Sequence, residues 1–293
     1  MELGFYHNKN TMEHLEFKSV LKVSDYSVSK ETFELLHDPI LDLLITTPQP
    51  AAEQLPKYYE SENYISHTDG KRSVFEKMYH FVKSIALKNK LQLIDRFHPE
   101  KGNLLDIGAG TGEFLVVAKN KGWQTIGVEP SEKARGIAQQ KGISFAPSTH
   151  DLPSHSFDCI TMWHVLEHVP NLEDQLSELK RLLKSDGTLV VAVPNFKSFD
   201  ATYYGNFWAA YDVPRHLWHF SKTAIQGLFQ KQDLNLIQVL PMKFDSFYVS
   251  LLSEKYKTGK MNYFNAFRIG WLSNLKAKRS KEFSSHIYVL KNK

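Results

Sequence analysis

The sequence predicts an α/β protein built on a parallel sheet with helices on both faces. Two observations carry this. From residue 103 onward, apolar runs of a few residues alternate with amphipathic runs of about ten, the pattern of strands returning through crossover helices. One strand-to-helix turn, Gly108-Ala109-Gly110-Thr111-Gly112, is rich in glycine, as such turns are where a ligand approaches the backbone. The chain's 293 residues are 42% hydrophobic and 23% charged, which excludes a disordered chain. A single cysteine, Cys159, excludes both a disulfide framework and a zinc site built from several thiols. With no long apolar run and no basic, apolar leader at Met1-Glu2-Leu3-Gly4-Phe5, the expectation is a reduced, cytoplasmic protein.

Residues 1–70 read as an N-terminal extension. Short apolar runs at Phe33 to Leu36 and Leu41 to Ile45 end at Thr47-Pro48-Gln49-Pro50, where prolines interrupt regular structure. The stretch Tyr58 to Tyr64 is expected to act as a lid. Val74, Met78, Val82, Ile85, Leu91, Ile94 and Phe97 mark one face of a helix over 73–97, ended by Pro99. Strands follow at Leu104 to Ile107, Thr125 to Val128, Ile143 to Phe145, Phe157 to Met162 and Thr188 to Val193. Helices lie between them at Phe114 to Asn120, Glu132 to Gln140 and Leu172 to Leu183. Ser221 caps another helix, and strands at Leu234 to Leu240 and His286 to Leu290 complete the sheet. The expected organisation is an extension over 1–70 and one α/β domain over 71–293, with a basic helical insertion at about 245–281.

The glycine loop differs from a dinucleotide fingerprint. G-x-G-x-x-G places its third glycine where a pyrophosphate meets the helix start. Here that position is Glu113, and the third glycine falls early at Gly112. A carboxylate there repels phosphate, so the loop points to a nucleoside-like ligand without phosphates. Glu129, at the end of the second strand of this series, is placed to accept ribose hydroxyls. Asp151 follows the third strand, where it meets an adenine amino group, and Trp163 follows the fourth, where it covers a flat ring.

Asp106-Ile107-Gly108-Ala109-Gly110-Thr111-Gly112, Val128-Glu129-Pro130 and Trp163-His164-Val165-Leu166-Glu167-His168-Val169 together resemble the motifs of class I S-adenosylmethionine-dependent methyltransferases, most closely the branch with the ubiquinone-biosynthesis O-methyltransferases. The resemblance implies a seven-stranded sheet with an antiparallel last strand and S-adenosylmethionine as cofactor. It implies that Asp106, Gly108, Ala109 and Gly110 shape the loop around the methionine moiety and that Glu129 and Pro130 hold the ribose. It further implies that Asp151 and Leu152 flank the adenine, with Trp163 and His164 beside the sulfonium. The N-terminal part resembles a methyltransferase subgroup that opens with a zinc ribbon, whose Cys-x-x-Cys is replaced here by Asp38-Pro39-Ile40-Leu41. No metal is expected, and the ribbon should be held by apolar packing alone. Metal analysis of the purified protein is expected to find far less than one equivalent of zinc.

His164-Val165-Leu166-Glu167-His168 also matches H-x-x-E-H, a zinc-binding pattern of metallopeptidase helices. A strand precedes it and Pro170 follows closely, so a short turn is expected instead of a helix. Between Pro194 and Ser221 lies a stretch without clear periodicity, expected to be a loop over the methyl-transfer site. In it, Arg215 offers a planar fork for a substrate carboxylate or phosphate, or else a partner to pin the loop through Asp212. His164, His216 and His219 are candidate catalytic residues, the last two as bases for an attacking hydroxyl.

The net charge is +4, yet residues 255–281 carry eight basic side chains and no acidic one, which leaves the rest at −4. Tyr256, Tyr263, Phe264, Phe267 and Trp271 interleave with them. This tract suits a cover over the acceptor pocket, a helix on an anionic membrane surface, or a nucleic-acid surface. The function expected is methyl transfer to a small or lipid-like acceptor, at oxygen. The alternatives are a nucleic-acid-binding methyltransferase and a cofactor-binding but catalytically silent scaffold.

Overall fold

The computed structural model describes residues 17–59 and 74–293. The described chain opens with β1 (Lys18–Ser24), β2 (Thr32–Asp38) and β3 (Leu43–Thr47), which pair antiparallel in sequence order. Two carboxylates hold the turns between them. Asp25 Oδ1 accepts from the backbone N–H groups of Ser27 and Val28, and its Oδ2 from that of Ser29. Asp38 Oδ1 accepts from the N–H groups of Ile40 and Leu41 at 2.9 and 3.0 Å. The expectation of apolar packing alone is thereby corrected: buried carboxylates satisfy the turn amides that would otherwise lack partners.

The helix α1 (Val74–Phe97) leads into the main sheet. Its side chains buried against the sheet are Leu91, Leu93 and Ile94; those of Val74 and Met78 lie outside the described residues, as do residues 60–64 of the expected lid. The main sheet then alternates: β4 (Asn103–Ile107), α2 (Glu113–Lys119), β5 (Gln124–Val128), α3 (Glu132–Gln140), β6 (Ser144–Ala146), β7 (Phe157–Trp163), α4 (Leu172–Leu182) and β8 (Leu183–Pro194). Ser131 and Asn171 cap α3 and α4 by accepting from the N–H groups of Ala134 and Asp174, satisfying donors that a helix start leaves open. Leu104 and Leu105 in β4 and Leu189 through Val193 in β8 are fully buried or nearly so. Such unbroken apolar runs are what a sheet covered on both faces requires.

Beyond β8 come α5 (Phe199–Tyr204), the short strand β9 (Trp218–His219), α6 (Lys222–Gln230), β10 (Leu234–Pro241), α7 (Asp245–Thr258), α8 (Tyr263–Ser280) and β11 (Ser285–Asn292). The strand order is β10-β11-β8-β7-β4-β5-β6. Strands β4 to β8 run parallel, and β11 lies antiparallel between β8 and β10. This is the expected seven-stranded sheet. Chain order reverses direction at β4, and a ligand crevice opens at such a switch point. Among the described residues, no helix is long and apolar enough to cross a membrane.

The segment after β8 is not the loose loop its sequence suggested. It folds into α5, two 3₁₀ turns and β9, with Tyr204, Trp208, Tyr211 and Val213 buried. β9 pairs with β3, Leu44 opposite His219 and Ile45 opposite Trp218. The small sheet is thus β1-β2-β3-β9. Its fourth strand lies far along the chain, which explains why local periodicity did not reveal it.

Candidate cofactor and acceptor site

The carboxyl ends of β4, β5 and β7 meet at the switch point. Gly108 turns out of β4 at φ +71°, and its N–H donates to the Val128 carbonyl at 2.7 Å. A Cβ on Gly108 would stand 2.3 Å from Val165 Cγ2, so glycine is required sterically as well as conformationally. Gly110, at φ +53°, differs: a Cβ there would meet open space. Its N–H donates to Glu129 Oε2 at 2.9 Å, while Glu129 Oε1 accepts from Ser131 N–H. The Glu129 carboxylate is therefore fixed at the end of β5, facing the loop.

Beneath the loop is a cleft of about 230 Å³ lined by Asp106, Gly108, Ala109 and Trp163, together with Lys90 and Phe114. Asp106 is buried and accepts from Thr161 Oγ1 at 2.6 Å. Burial pushes its carboxyl up to about 7, against the pull of the Thr161 hydroxyl and the Lys90 cation. Lys90 Nζ lies 4.3 Å from the Trp163 ring centroid, and burial lowers its pKa. Trp163 packs edge-on against Phe114 at 5.7 Å. Its indole Nε1 is buried and makes no hydrogen bond among the described residues. Glu113 is paired with Lys83 at 2.5 Å, so the negative charge expected at the start of α2 is neutralised. Pro130 and Asp151 are exposed, and Leu152 is buried with its carbonyl accepting from Arg181. Those three stand outside the cleft lining.

The turn after β7 carries the histidines. His164 sits at φ +58°, unusual for a non-glycine residue. Its Nδ1 is 3.3 Å from Glu167 and its Nε2 3.1 Å from Asp245 at the start of α7. Burial disfavours its charge, but bonds to Asp245 and Glu167 prevail and hold its pKa up to about 10. As an imidazolium at neutral pH, His164 has no lone pair with which to accept a proton. The residues Leu166–His168 form a single 3₁₀ turn, as expected from Pro170.

His168 and His216 face each other, with ring centroids 4.5 Å apart and planes nearly perpendicular. His168 Nδ1 donates to the Arg215 carbonyl at 3.0 Å and lies 3.1 Å from the Tyr59 hydroxyl. His216 Nδ1 donates to the Ala210 carbonyl at 2.9 Å. A carbonyl accepts only, so each ring carries a proton on Nδ1, and His216 Nε2 lies 4.0 Å from Asp212 Oδ2. Burial and the neighbouring His216 push the His168 pKa down to about 4. Glu167, His168 and His216 bring one ligand atom each within 4.8 Å of one another. The His164 of the H-x-x-E-H pattern is not in that group.

Two predicted residues lie elsewhere. His219 is buried in β9, its Nε2 3.0 Å from Thr46 Oγ1, and burial pushes its pKa down to about 3. Arg215 is also buried. It clasps both Asp212 oxygens at 2.9 and 2.6 Å, Asp25 at 3.0 Å and the Tyr58 carbonyl at 2.8 Å. Every arm of the guanidinium is thus engaged within the protein, and Arg215 pins the segment after β8 to the small sheet, the reading through Asp212 extended to Asp25. Sequence reading missed Lys90 and Asp245, and took Tyr59 only as part of the expected lid. Only Lys90 had a local signal, since Lys83 and Lys90 are seven residues apart on one helix face.

A parallel sheet reversing at β4, a glycine loop with room for a ligand at Gly110 and a carboxylate fixed at the end of β5 define a Rossmann-like S-adenosylmethionine-dependent methyltransferase domain. A family described as a methyltransferase domain matches residues 78–239, more than half of the chain, and the chain belongs to it. Demethylmenaquinone methyltransferase of Thermotoga maritima is 32% identical over 127 residues, which is 40% of this chain and 55% of that protein. Ubiquinone biosynthesis O-methyltransferase of Actinobacillus pleuropneumoniae is 31% identical over 133 residues, 39% of this chain and 56% of that one. The chain thus spans about half the length of these curated relatives. The crystal structure of magnesium protoporphyrin IX methyltransferase from Synechocystis, with bound S-adenosylhomocysteine, shares the fold. Its TM-score is 0.54 at 14% identity, over 80% of this chain and 97% of that one.

The residues present fit S-adenosylmethionine. Glu129 suits a diol. Lys90 and Asp106, in one cleft, suit a group bearing a carboxylate and an ammonium, and the buried Trp163 N–H and the open space at Gly110 leave room for a bound partner.

Proposed function

We propose that this protein transfers the methyl group of S-adenosylmethionine to a hydroxyl of a small or amphiphilic acceptor, with one ring of the His168–His216 pair receiving the single hydroxyl proton and S-adenosylhomocysteine leaving. The observation that carries the reading is the facing pair of imidazoles, both fixed as Nδ1–H tautomers by backbone carbonyls. The turn that bears His168 follows β7, whose last residue, Trp163, lines the cofactor cleft. The cofactor supplies a methyl group made electrophilic by the sulfonium. The chain's residues orient the acceptor, exclude water and accept a proton. Glu129 binds the ribose hydroxyls, Lys90 and Asp106 the amino-acid end, and Trp163 covers the reacting edge. The likeness to a ubiquinone biosynthesis O-methyltransferase supports oxygen as the accepting atom. Nothing in the comparisons favours the nucleic-acid or silent-scaffold alternatives.

Titration calorimetry with S-adenosylhomocysteine tests the cofactor half. Glu129→Ala is expected to weaken binding about 10–100-fold, the effect of losing a carboxylate's hydrogen bonds. Absence of binding to the wild-type protein, or tighter binding of NAD, would overturn the reading.

A further inference from the structure

The hairpin of α7 and α8 is turned inside out relative to an ordinary amphipathic helix pair. On α8 the buried positions are mostly small: Ala266, Gly270, Ser273 and Ala277, with Ile269. The reason is a close approach to α7, since a Cβ on Gly270 would stand 2.8–3.0 Å from ring and backbone atoms of Phe247. The large apolar side chains are left on the outside. Phe264, Phe267, Trp271 and Leu275 are 82%, 65%, 52% and 42% exposed. Their spacing of three, four and four residues sets them in one ridge along the helix, about 16 Å long. A monomer in water gains nothing by displaying such a ridge, and its presence marks an interaction surface.

Charge identifies the partner. Arg268, Lys278 and Arg279 flank the ridge and are exposed, and no acidic residue lies anywhere in 255–281. Glu254 and Glu282, just outside this stretch, are turned inward: Glu254 is buried against Tyr204 and Asn265, and Glu282 pairs with Lys222. Two copies placed ridge to ridge would oppose like charges, so a second copy is disfavoured. The ridge ends in an aliphatic side chain, Leu275, which has no flat ring for a base to stack on. An apolar ridge containing tryptophan, bordered by cations, suits the boundary between acyl chains and anionic headgroups.

We propose that α8 docks this protein on anionic lipid bilayers. The ridge enters the headgroup boundary while Arg268, Lys278 and Arg279 meet the lipid phosphates. Asp245, the first residue of α7, pairs with His164 on the turn after β7, which ties the helical hairpin to the edge of the sheet where the glycine loop lies.

The test is sedimentation of the full-length protein with vesicles, using equimolar phosphatidylcholine and phosphatidylglycerol against phosphatidylcholine alone. Binding to the anionic vesicles only is expected, and it should fall as salt is added. Of the five tryptophans, Trp123, Trp208 and Trp218 are buried and Trp163 is half-buried, whereas Trp271 is exposed. Tryptophan emission should therefore shift to the blue on vesicle addition, and the shift should vanish in Trp271→Phe while sedimentation persists. Phe264→Ser is expected to lower vesicle affinity about tenfold. Lys278→Glu with Arg279→Glu should lower it comparably with an unchanged far-ultraviolet spectrum. Equal binding to both vesicle types, no emission shift, or protection of Trp271 by poly(U) or self-association in place of vesicles would each overturn the proposal. None of these readouts depends on methyl transfer, so failure here leaves the proposed activity standing, and the converse holds.

Discussion

His216→Asn and His168→Asn are each expected to lower turnover about 10²–10⁴-fold without weakening S-adenosylhomocysteine binding. Asparagine retains a donor at the position of Nδ1, so the bonds to the Ala210 and Arg215 carbonyls survive while the Nε2 acceptor is lost. The geometry of the turn is preserved, and only proton acceptance is removed. His219→Asn, whose parent side chain bonds Thr46 in the core, should instead lower stability with a smaller effect on turnover. Single-turnover rates alongside calorimetry distinguish the two cases. Full turnover in both His216→Asn and His168→Asn would exclude the pair as bases. Loss of wild-type turnover on treatment with EDTA, restored by a divalent cation, would show that Glu167, His168 and His216 bind a metal instead.

The second large effect concerns Arg215. Replacing it by methionine leaves Asp25 and Asp212 without their cation, and the cost is expected to be about 3–5 kcal/mol, as for other buried ion pairs that lose one partner. For a chain of this size that is a fall in Tm of about 10 °C. Burial alone would raise the Asp25 carboxyl. The Ser29 N–H and the Arg215 guanidinium together hold it well below the usual carboxylate range instead. The stabilisation is therefore present above the unfolded pKa of about 4 and fades only in stronger acid. In Arg215→Met the same carboxyl is buried without its cation and takes up a proton more readily. The difference in Tm between variant and wild type should accordingly narrow as pH falls below about 5. A difference that stays constant from pH 8 to pH 4 would show that the guanidinium stabilises by packing and not by charge.

The alternation of β4 through β8 was legible because each segment's burial imposes its own period, and the glycine loop because Gly108 has no steric alternative beside Val165. His216 could be nominated from chemistry alone. His168 was read only as part of the turn, since its role depends on a ring brought to it from 48 positions along the chain. For Arg215 the pin through Asp212 was legible from their spacing of three residues, whereas Asp25, 190 residues earlier in sequence, was not. β9, with two residues, has no periodicity to read. The outward ridge of α8 ran against the usual rule that apolar side chains face the core. Only the close contact of Gly270 with Phe247 shows why that rule is reversed here.

The pairing of β3 with β9 also bears on synthesis. The first three strands of the small sheet leave the ribosome well before β9, so Thr46 must wait for His216 and Leu217, some 170 residues later, to meet its final hydrogen-bonding partners. Throughout that interval β3, rich in leucine and isoleucine, has one edge open to other nascent chains. A protein organised this way depends on being kept apart from its neighbours during translation. The carboxylate-held turns at Asp25 and Asp38 close locally, and they limit how far the waiting edge can stray.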